Sequence, residues 1–543
     1  MSIKYNYTFW IIIICFSIFF VNLDAIMVNI MEARNFITAR EIVNSGNWTL
    51  TTLNGEPRYE KPPLPTWLTA ISALILGFDN LVALRIPAAL ISTLLVVYFY
   101  KLGEVFTNNK KYSFVSSLIL TTSFFIIFSG RNGQWDIFTH GFMIVSIYQL
   151  FLFFSFENKK YQRAIIAALF FGFSFMSKGP VSLYTLLLPF IISYGFTFKF
   201  KEIKQRIVPL TLFLIIGFVV SAWWYIYTYY TDPITVSEIT SKETNNWTSY
   251  EIKPFYYYWG FFTQSGVWSI MALIGLLYPY LKNKVSNKRA YKFTFLWTII
   301  SLVLLSIIPE KKSRYVLPVL IPLAFNTGFY LEYLITQFSS LKNKKETLPV
   351  YFNFGLIGII GILFPIGGYF YLKDMFSGNW IWFVLLSICT VLISILIFKF
   401  LLKKNILMVF YLTIAFVISI IFFGFPIVKE LTVNPDFYGI SNLNSWEIKT
   451  NNKTYEFNEL TPELVWDYGK PMKILLKGNE VNFPSEDSFG VLIQDNQKQR
   501  FLNYFKDYSL KRIKRFDMNP REKGGSQYRS RLCRELYLVS KKQ

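Results

Sequence analysis

The sequence predicts a polytopic α-helical membrane protein of about 13 transmembrane helices, followed by a small C-terminal α/β domain. Three observations lead there. Of 543 residues, 53% are hydrophobic and 19% aromatic, and only 16% are charged, against about 25% in soluble domains. Apolar runs of about 20 residues recur, each long enough for the roughly 30 Å of a bilayer core. The runs are continuous rather than alternating. That argues against a β-barrel and for helices, the other way to satisfy a backbone in lipid.

The runs place spans near 8–28, 81–100, 112–130, 136–156, 161–177, 180–198, 207–230, 257–281, 291–309, 315–337, 350–373, 379–402 and 405–427. One set of loops is basic: KLGEVFTNNKK, ENKKYQR, KFKEIKQR, KNKVSNKRAYK, LKNKKE and KFLLKK. Positive loops stay in the cytoplasm. Lys4 falls on the same side, so an odd number of spans leaves the tail from about 428 outside. These loops also account for the net charge of +22, and no nucleic-acid partner is assigned. The apolar run from Phe9 lacks a small-residue cleavage site, which predicts an uncleaved first span. Cys15, Cys389 and Cys533 are scattered and outline no disulfide framework. His140 is the only histidine, which excludes a zinc site built on several. The organisation expected is a transmembrane domain over 1–427, with outer loops at 29–64 and 231–256, and an extracytoplasmic α/β domain over 428–543.

In the first outer loop, EARNFITAREIV spaces Ala33, Phe36, Ile37 and Ile42 for one helix face, and SGNW ends it. TLTTLNGEPRY reads as an extended piece turning at Asn54-Gly55. PTWLTAISALILG, 65–77, is too short to span and is expected at the interface or leading into the second span. In the tail, KILLKG, FGVLIQ and ELYLVSK read as strands and QRFLNYFKDY as a helix.

The outer loops carry few charges, but unusual ones. Arg34, Arg58, Lys61, Arg131, Lys178, Lys311, Lys312 and Arg314 run against the positive-inside trend. Taken singly, each reads as an interfacial anchor. Gathered around one cavity, they would suit a phosphate, with bidentate contacts from Arg and point charges from Lys. Glu32, Glu60 and Asp136 accompany them. Asp136 follows Trp135 at the start of a span. There it suits either favourable placement at a helix N-terminus or a general base in a partly apolar mouth. A base for an acceptor hydroxyl, cations for a departing phosphate and a lipid path between helices would serve glycosyl transfer from a lipid-linked sugar phosphate.

EARNFITAREIVNSGNW…LNGEPRYEKPPLPTW resembles the first outer loop of the bacterial aminoarabinose transferase family, related to the protein O-mannosyltransferases within the GT-C fold superfamily. ALRIPAAL at 83–90, Asp136, SKGP at 177–180 and KKSRYVLP at 311–318 follow in the order that family has. The resemblance implies that Lys61 of EKP contacts lipid phosphate with Glu60 beside it. It also implies that Arg34 is the arginine of the first-loop acidic motif and Tyr315 the tyrosine of the late Lys/Arg-Tyr motif. Pro62, Pro63 and Pro65 would stiffen an outer lid that holds Lys61 in place. One departure stands out: Met31-Glu32 replaces a frequent Asp-Glu, so Glu32, Asp136 or Asp24 is left to supply the carboxylate. Some members hold a metal near the outer-loop Glu with a His ligand. Here no cofactor is assigned, and a divalent cation stays open.

The activity implied is inverting transfer of a sugar from a polyprenyl-phosphate donor, at the periplasmic side of a bacterial inner membrane. The acceptor would be a glycolipid such as lipid A or another surface glycan; a protein Ser/Thr is the variant within the class. A lipid-linked-sugar flippase and a catalytically inactive scaffold are the rivals from other classes. The flippase reading would favour midplane charges and internal repeats, and the sequence has neither.

Overall fold

The computed structural model describes residues 6–373, 378–431, 434–525 and 528–542. The chain divides into two compact units. The first comprises Met1–Ala25, Tyr59–Phe370 and Asn379–Val428, and the second comprises Ile26–Arg58, Tyr371–Gly378 and Lys429–Gln543. One division between the units falls between Val428 and Lys429. Most of the first outer loop, however, packs with the tail rather than with the hydrophobic segments.

The first unit is a helical bundle. Among the described residues, eight helices are long and apolar enough to cross a membrane, or nine if one bent pair counts as a span. That is fewer than the apolar runs suggest, and the shortfall has local causes. The run at 8–28 is helical only over Tyr7–Phe19. It ends in a turn whose carbonyls are taken by two buried arginines. Arg131 donates to Ile18, Val21 and Asn22 at 2.6–2.7 Å, and Arg85 to Leu23 at 2.8 Å. These donors satisfy acceptors that a broken helix leaves open.

The run at 112–130 forms two helices, Lys110–Thr121 and Phe124–Gly130, bent by 69°. Ser117, Thr121, Thr122 and Ser123 each donate to the carbonyl four residues back, a pattern that bends helices. The run at 257–281 breaks into short turns. Gly266 sits there at φ +64°, and a Cβ on it would come within 2.9 Å of the Phe124 side chain. Only glycine suits that conformation and that contact. Residues 231–256, expected as a loop, contain the helix Pro233–Ser249.

Two helices lie at the centre of the bundle. Trp135–Ser155 and Ser313–Ser340 each have 83% of their apolar window buried, against 28% for Ile203–Thr231 and Ile381–Leu402. The peripheral helices present Leu214, Phe218, Leu392 and Ile395 outward, as lipid contact requires.

In the second unit, Asn29 caps the helix Ile30–Ser45 in a capping box with Glu32, and Gly46 closes it in the left-handed region. Thr52–Leu53 and Glu56–Pro57 pair across Asn54-Gly55, at φ +58° and +78°. That is the turn an Asn-Gly hairpin favours. The tail forms a four-stranded sheet in the order Thr454–Glu456, Ser488–Ile493, Cys533–Lys541, Tyr508–Asp517, with the first pair parallel and the others antiparallel. The strands expected from KILLKG, FGVLIQ and ELYLVSK are present, and Lys498–Tyr504 is the helix expected from QRFLNYFKDY. The edge strand Tyr508–Asp517 was not legible, because its basic residues mask the alternation.

The outer-loop helix is fastened to the tail. Arg40 donates to the carbonyls of Val465 and Trp466 and stacks on the Trp466 ring. Asn54 exchanges two hydrogen bonds with the Met472 backbone, both 2.7 Å.

Candidate active site

Asp136 opens the central helix Trp135–Ser155, and Lys178 closes the helix Lys160–Lys178 packed antiparallel to it. The two residues therefore meet at one end of the pair. The placement suits both helix dipoles, with the anion at an N-terminus and the cation at a C-terminus. The side chains form a buried ion pair, 6% and 7% exposed. Asp136 Oδ1 accepts from Lys178 Nζ, while Asp136 Oδ2 is buried with no partner among the described residues. A buried carboxylate oxygen left open is costly.

Further cations surround this pair. Lys178 Nζ lies 4.8 Å from the centre of the Tyr315 ring. Arg314 is close enough for its charge to act on both Asp136 and Lys178, and its Nε has no partner among the described residues. Arg314 and Tyr315 belong to the short turn Ser313–Val316 that leads into the second central helix. Lys61 also acts on Lys178 electrostatically. It precedes the helix Leu64–Leu76, whose start follows Pro63 and tolerates Pro65. That helix has exposed Ile71, Leu74 and Ile75. Glu60 is exposed.

These residues sit at the N-terminal ends of the two central helices. The C-terminal ends of the same helices lead to the basic loops ENKKYQR and LKNKKE. The constellation is thus at the opposite end of the bundle from those loops.

Other expected ligands are occupied. Arg131 spends its two terminal nitrogens on backbone carbonyls and stacks on Phe425. Lys311 is buried and donates to the Ile308 carbonyl at 2.5 Å. Lys312 pairs with Glu310, whose Oε1 also accepts from Tyr315 at 3.2 Å. Glu310 was overlooked, although PEKKSRY displays it two residues before Lys312.

Glu32, Arg34 and Arg58 belong to the second unit. Glu32 is fully buried, and its Oε2 accepts from the Asn29 backbone and side chain at 3.4 and 3.0 Å. Arg58 donates to the Arg34 carbonyl and the Thr38 hydroxyl at 3.1 and 2.9 Å, holding the hairpin to the helix. Arg34 is half-buried. His140, one turn beyond Asp136, bonds Ser182 at 2.9 Å. No three His, Cys, Asp or Glu side chains gather as a metal site among the described residues.

Residues 60–226 match the family described as dolichyl-phosphate-mannose-protein mannosyltransferase. A curated relative from Proteus mirabilis, undecaprenyl phosphate-alpha-4-amino-4-deoxy-L-arabinose arabinosyl transferase 1, is 26% identical over 62% of this chain and 61% of its own. An uncharacterised protein from Aquifex aeolicus is 26% identical over 57% of this chain and 59% of its own. The chain thus spans about three-fifths of the length of the curated relatives it matches. The fold as a whole is similar to that of ArnT from Cupriavidus metallidurans, solved with undecaprenyl phosphate bound. The TM-score is 0.69 at 14% identity, and 98% of each chain is covered. Over residues 60–226 the likeness is to a family of mannosyltransferases, and over the whole chain it is a likeness of fold.

Proposed function

We propose that this protein transfers a sugar from a polyprenyl-phosphate donor to an acceptor on the periplasmic side of a bacterial inner membrane, with a lipid A-like glycolipid as the favoured acceptor. The observation that carries this reading is Asp136, paired to Lys178 through one oxygen while the other is left open. Lys61 and Arg314 lie within electrostatic reach of the pair. The acceptor oxygen attacks the anomeric carbon, the bond from that carbon to the phosphate oxygen breaks, and polyprenyl phosphate leaves with the electron pair. Asp136 Oδ2 takes the proton of an acceptor hydroxyl. Lys61, Lys178 and Arg314 stabilise the charge that grows on the departing phosphate, where fixed cations lower the barrier most. A single displacement of this kind inverts the anomeric carbon. The similarity to arabinosyl transferases supports the donor class. The match to protein mannosyltransferases over 60–226 keeps a protein acceptor as the second reading.

Mass spectrometry of lipid A and of surface glycoproteins tests the proposal. Cells lacking the protein are compared with cells restored by wild type or by Asp136→Asn at matched membrane levels. The expected result is a sugar-sized mass that is missing from the lipid A pool and returns only with wild type. Return in the glycoprotein pool instead would select the protein acceptor. No change in either pool would overturn the transferase reading and favour transport.

A further inference from the structure

The helix Pro233–Ser249 is unlike every other long helix of the first unit, because none of its described residues is buried. Packing does not hold it, yet two carboxylates hook it to one short strap. At its start, Asp232 caps the helix through the Thr235 backbone at 3.3 Å, and Asp232 Oδ2 accepts from the Tyr59 hydroxyl at 3.4 Å. Further along, Glu243 Oε2 lies 3.7 Å from Lys61 Nζ, the two side chains 43% and 26% exposed. Tyr59 and Lys61 flank Glu60, just before the proline run that opens the helix Leu64–Leu76.

Lys61 is the cation assigned above to the donor phosphate, and the inference rests on that reading. An ammonium has one compact charge and three donors. A carboxylate and a phosphate oxygen present it with the same chemistry. We propose that Glu243 is a placeholder for the donor phosphate: its carboxylate and the phosphate compete for Lys61, and the incoming phosphate displaces it. The exchange releases Glu243 from the strap, in a helix none of whose described side chains is buried. Asp232 and Tyr59 remain as the hinge. Glu243 thereby tunes donor affinity. It costs the ligand the work of breaking one half-exposed ion pair, and it keeps Lys61 in position between turnovers.

Such a pair is worth about 0.2–1 kcal/mol, so removing Glu243 changes affinity by a factor of roughly 1.4 to 5. The test uses the full chain in detergent micelles with a polyprenyl phosphate as ligand. Binding is measured for wild type, Glu243→Gln, Lys61→Ala and the double variant. Glu238→Gln, exposed on the same helix, is the control. Hydrogen exchange of 233–249 is followed with and without ligand. The expected outcome is tighter binding by Glu243→Gln, no change in Glu238→Gln, and no benefit of Glu243→Gln in the Lys61→Ala background. Wild-type exchange over the distal helix should rise when ligand is added. If Lys61→Ala weakens binding but Glu243→Gln leaves it unchanged or weakens it, the placeholder is overturned and the phosphate role of Lys61 stands. If Lys61→Ala binds as wild type, both fall together.

Discussion

Two buried ion pairs, one in each unit, have opposite characters. In the tail sheet, Arg534 donates to Glu456 at 2.8 Å, to the carbonyls of Arg531, Cys533 and Glu459, and to the Thr461 hydroxyl. The guanidinium is 0% exposed and the carboxylate 4%, and the surrounding groups complete the hydrogen bonding of the arginine. In the bundle, Asp136 and Lys178 are almost as deeply buried, yet Asp136 Oδ2 is left open. A buried charge pair repays its desolvation only when its remaining hydrogen bonds are made. The tail pair meets that condition and is structural. The bundle pair does not, and under the proposed function the missing bond is where the acceptor is engaged.

The sharpest way to break this comparison is Asp136→Asn. Loss of a general base lowers turnover by about 10²–10⁴-fold, read as sugar transfer by reconstituted protein at saturating donor. A variant that kept wild-type turnover would make the bundle pair structural as well.

Next in size are the single-sided breaks. Lys178→Met takes the hydrogen-bonded partner from Asp136, and Arg534→Met does the same to Glu456, whose buried carboxyl then holds its proton. Each should cost about 3–5 kcal/mol of stability in its unit, measured as a fall in Tm or as faster local hydrogen exchange. Pairing Lys178→Met with Asp136→Asn should restore much of the stability but none of the transfer. Pairing Arg534→Met with Glu456→Gln should restore stability in the tail.

A smaller effect separates the pairs by pH. Burial, opposed by Arg534, pushes the Glu456 carboxyl up to about 7 from an ordinary 4.5. The folded tail then binds a proton that the unfolded chain has lost, so the protonated carboxyl's contribution to stability is fully present below the unfolded value and is lost as pH rises through 7. Hydrogen exchange across the tail strands, corrected for intrinsic rates, should quicken between pH 5 and 7.5, and Glu456→Gln should flatten that trend.

The smallest change is expected at Glu32, whose Oε2 already serves the capping box. Glu32→Gln keeps a side-chain acceptor and should cost less than the roughly 1 kcal/mol of a lost cap. Transfer reduced as far as in Asp136→Asn would move the base to Glu32.

Several elements were legible without any structure, because their signals are local. Ala33, Phe36, Ile37 and Ile42 mark one face of a helix, SGNW ends it, and Asn54-Gly55 turns a hairpin. The apolar runs gave the bundle, and the charge of successive loops separated its two ends. Breaks within the runs were not legible. Those at 20–24, 122–123 and 257–277 depend on Arg131 reaching Ile18, on hydroxyls bonding back to carbonyls, and on Gly266 meeting Phe124.

The sequence by itself determined the membrane class and the set of candidate cations, since hydropathy and loop charge act over a few residues. Only the tertiary structure decided which cations are spent and which carboxylate is left open. Whether Arg131 faces a ligand or three carbonyls, and whether Asp136 meets Lys178, depends on partners far away in sequence. A side chain's remaining hydrogen-bonding capacity is known only when every neighbour is in place.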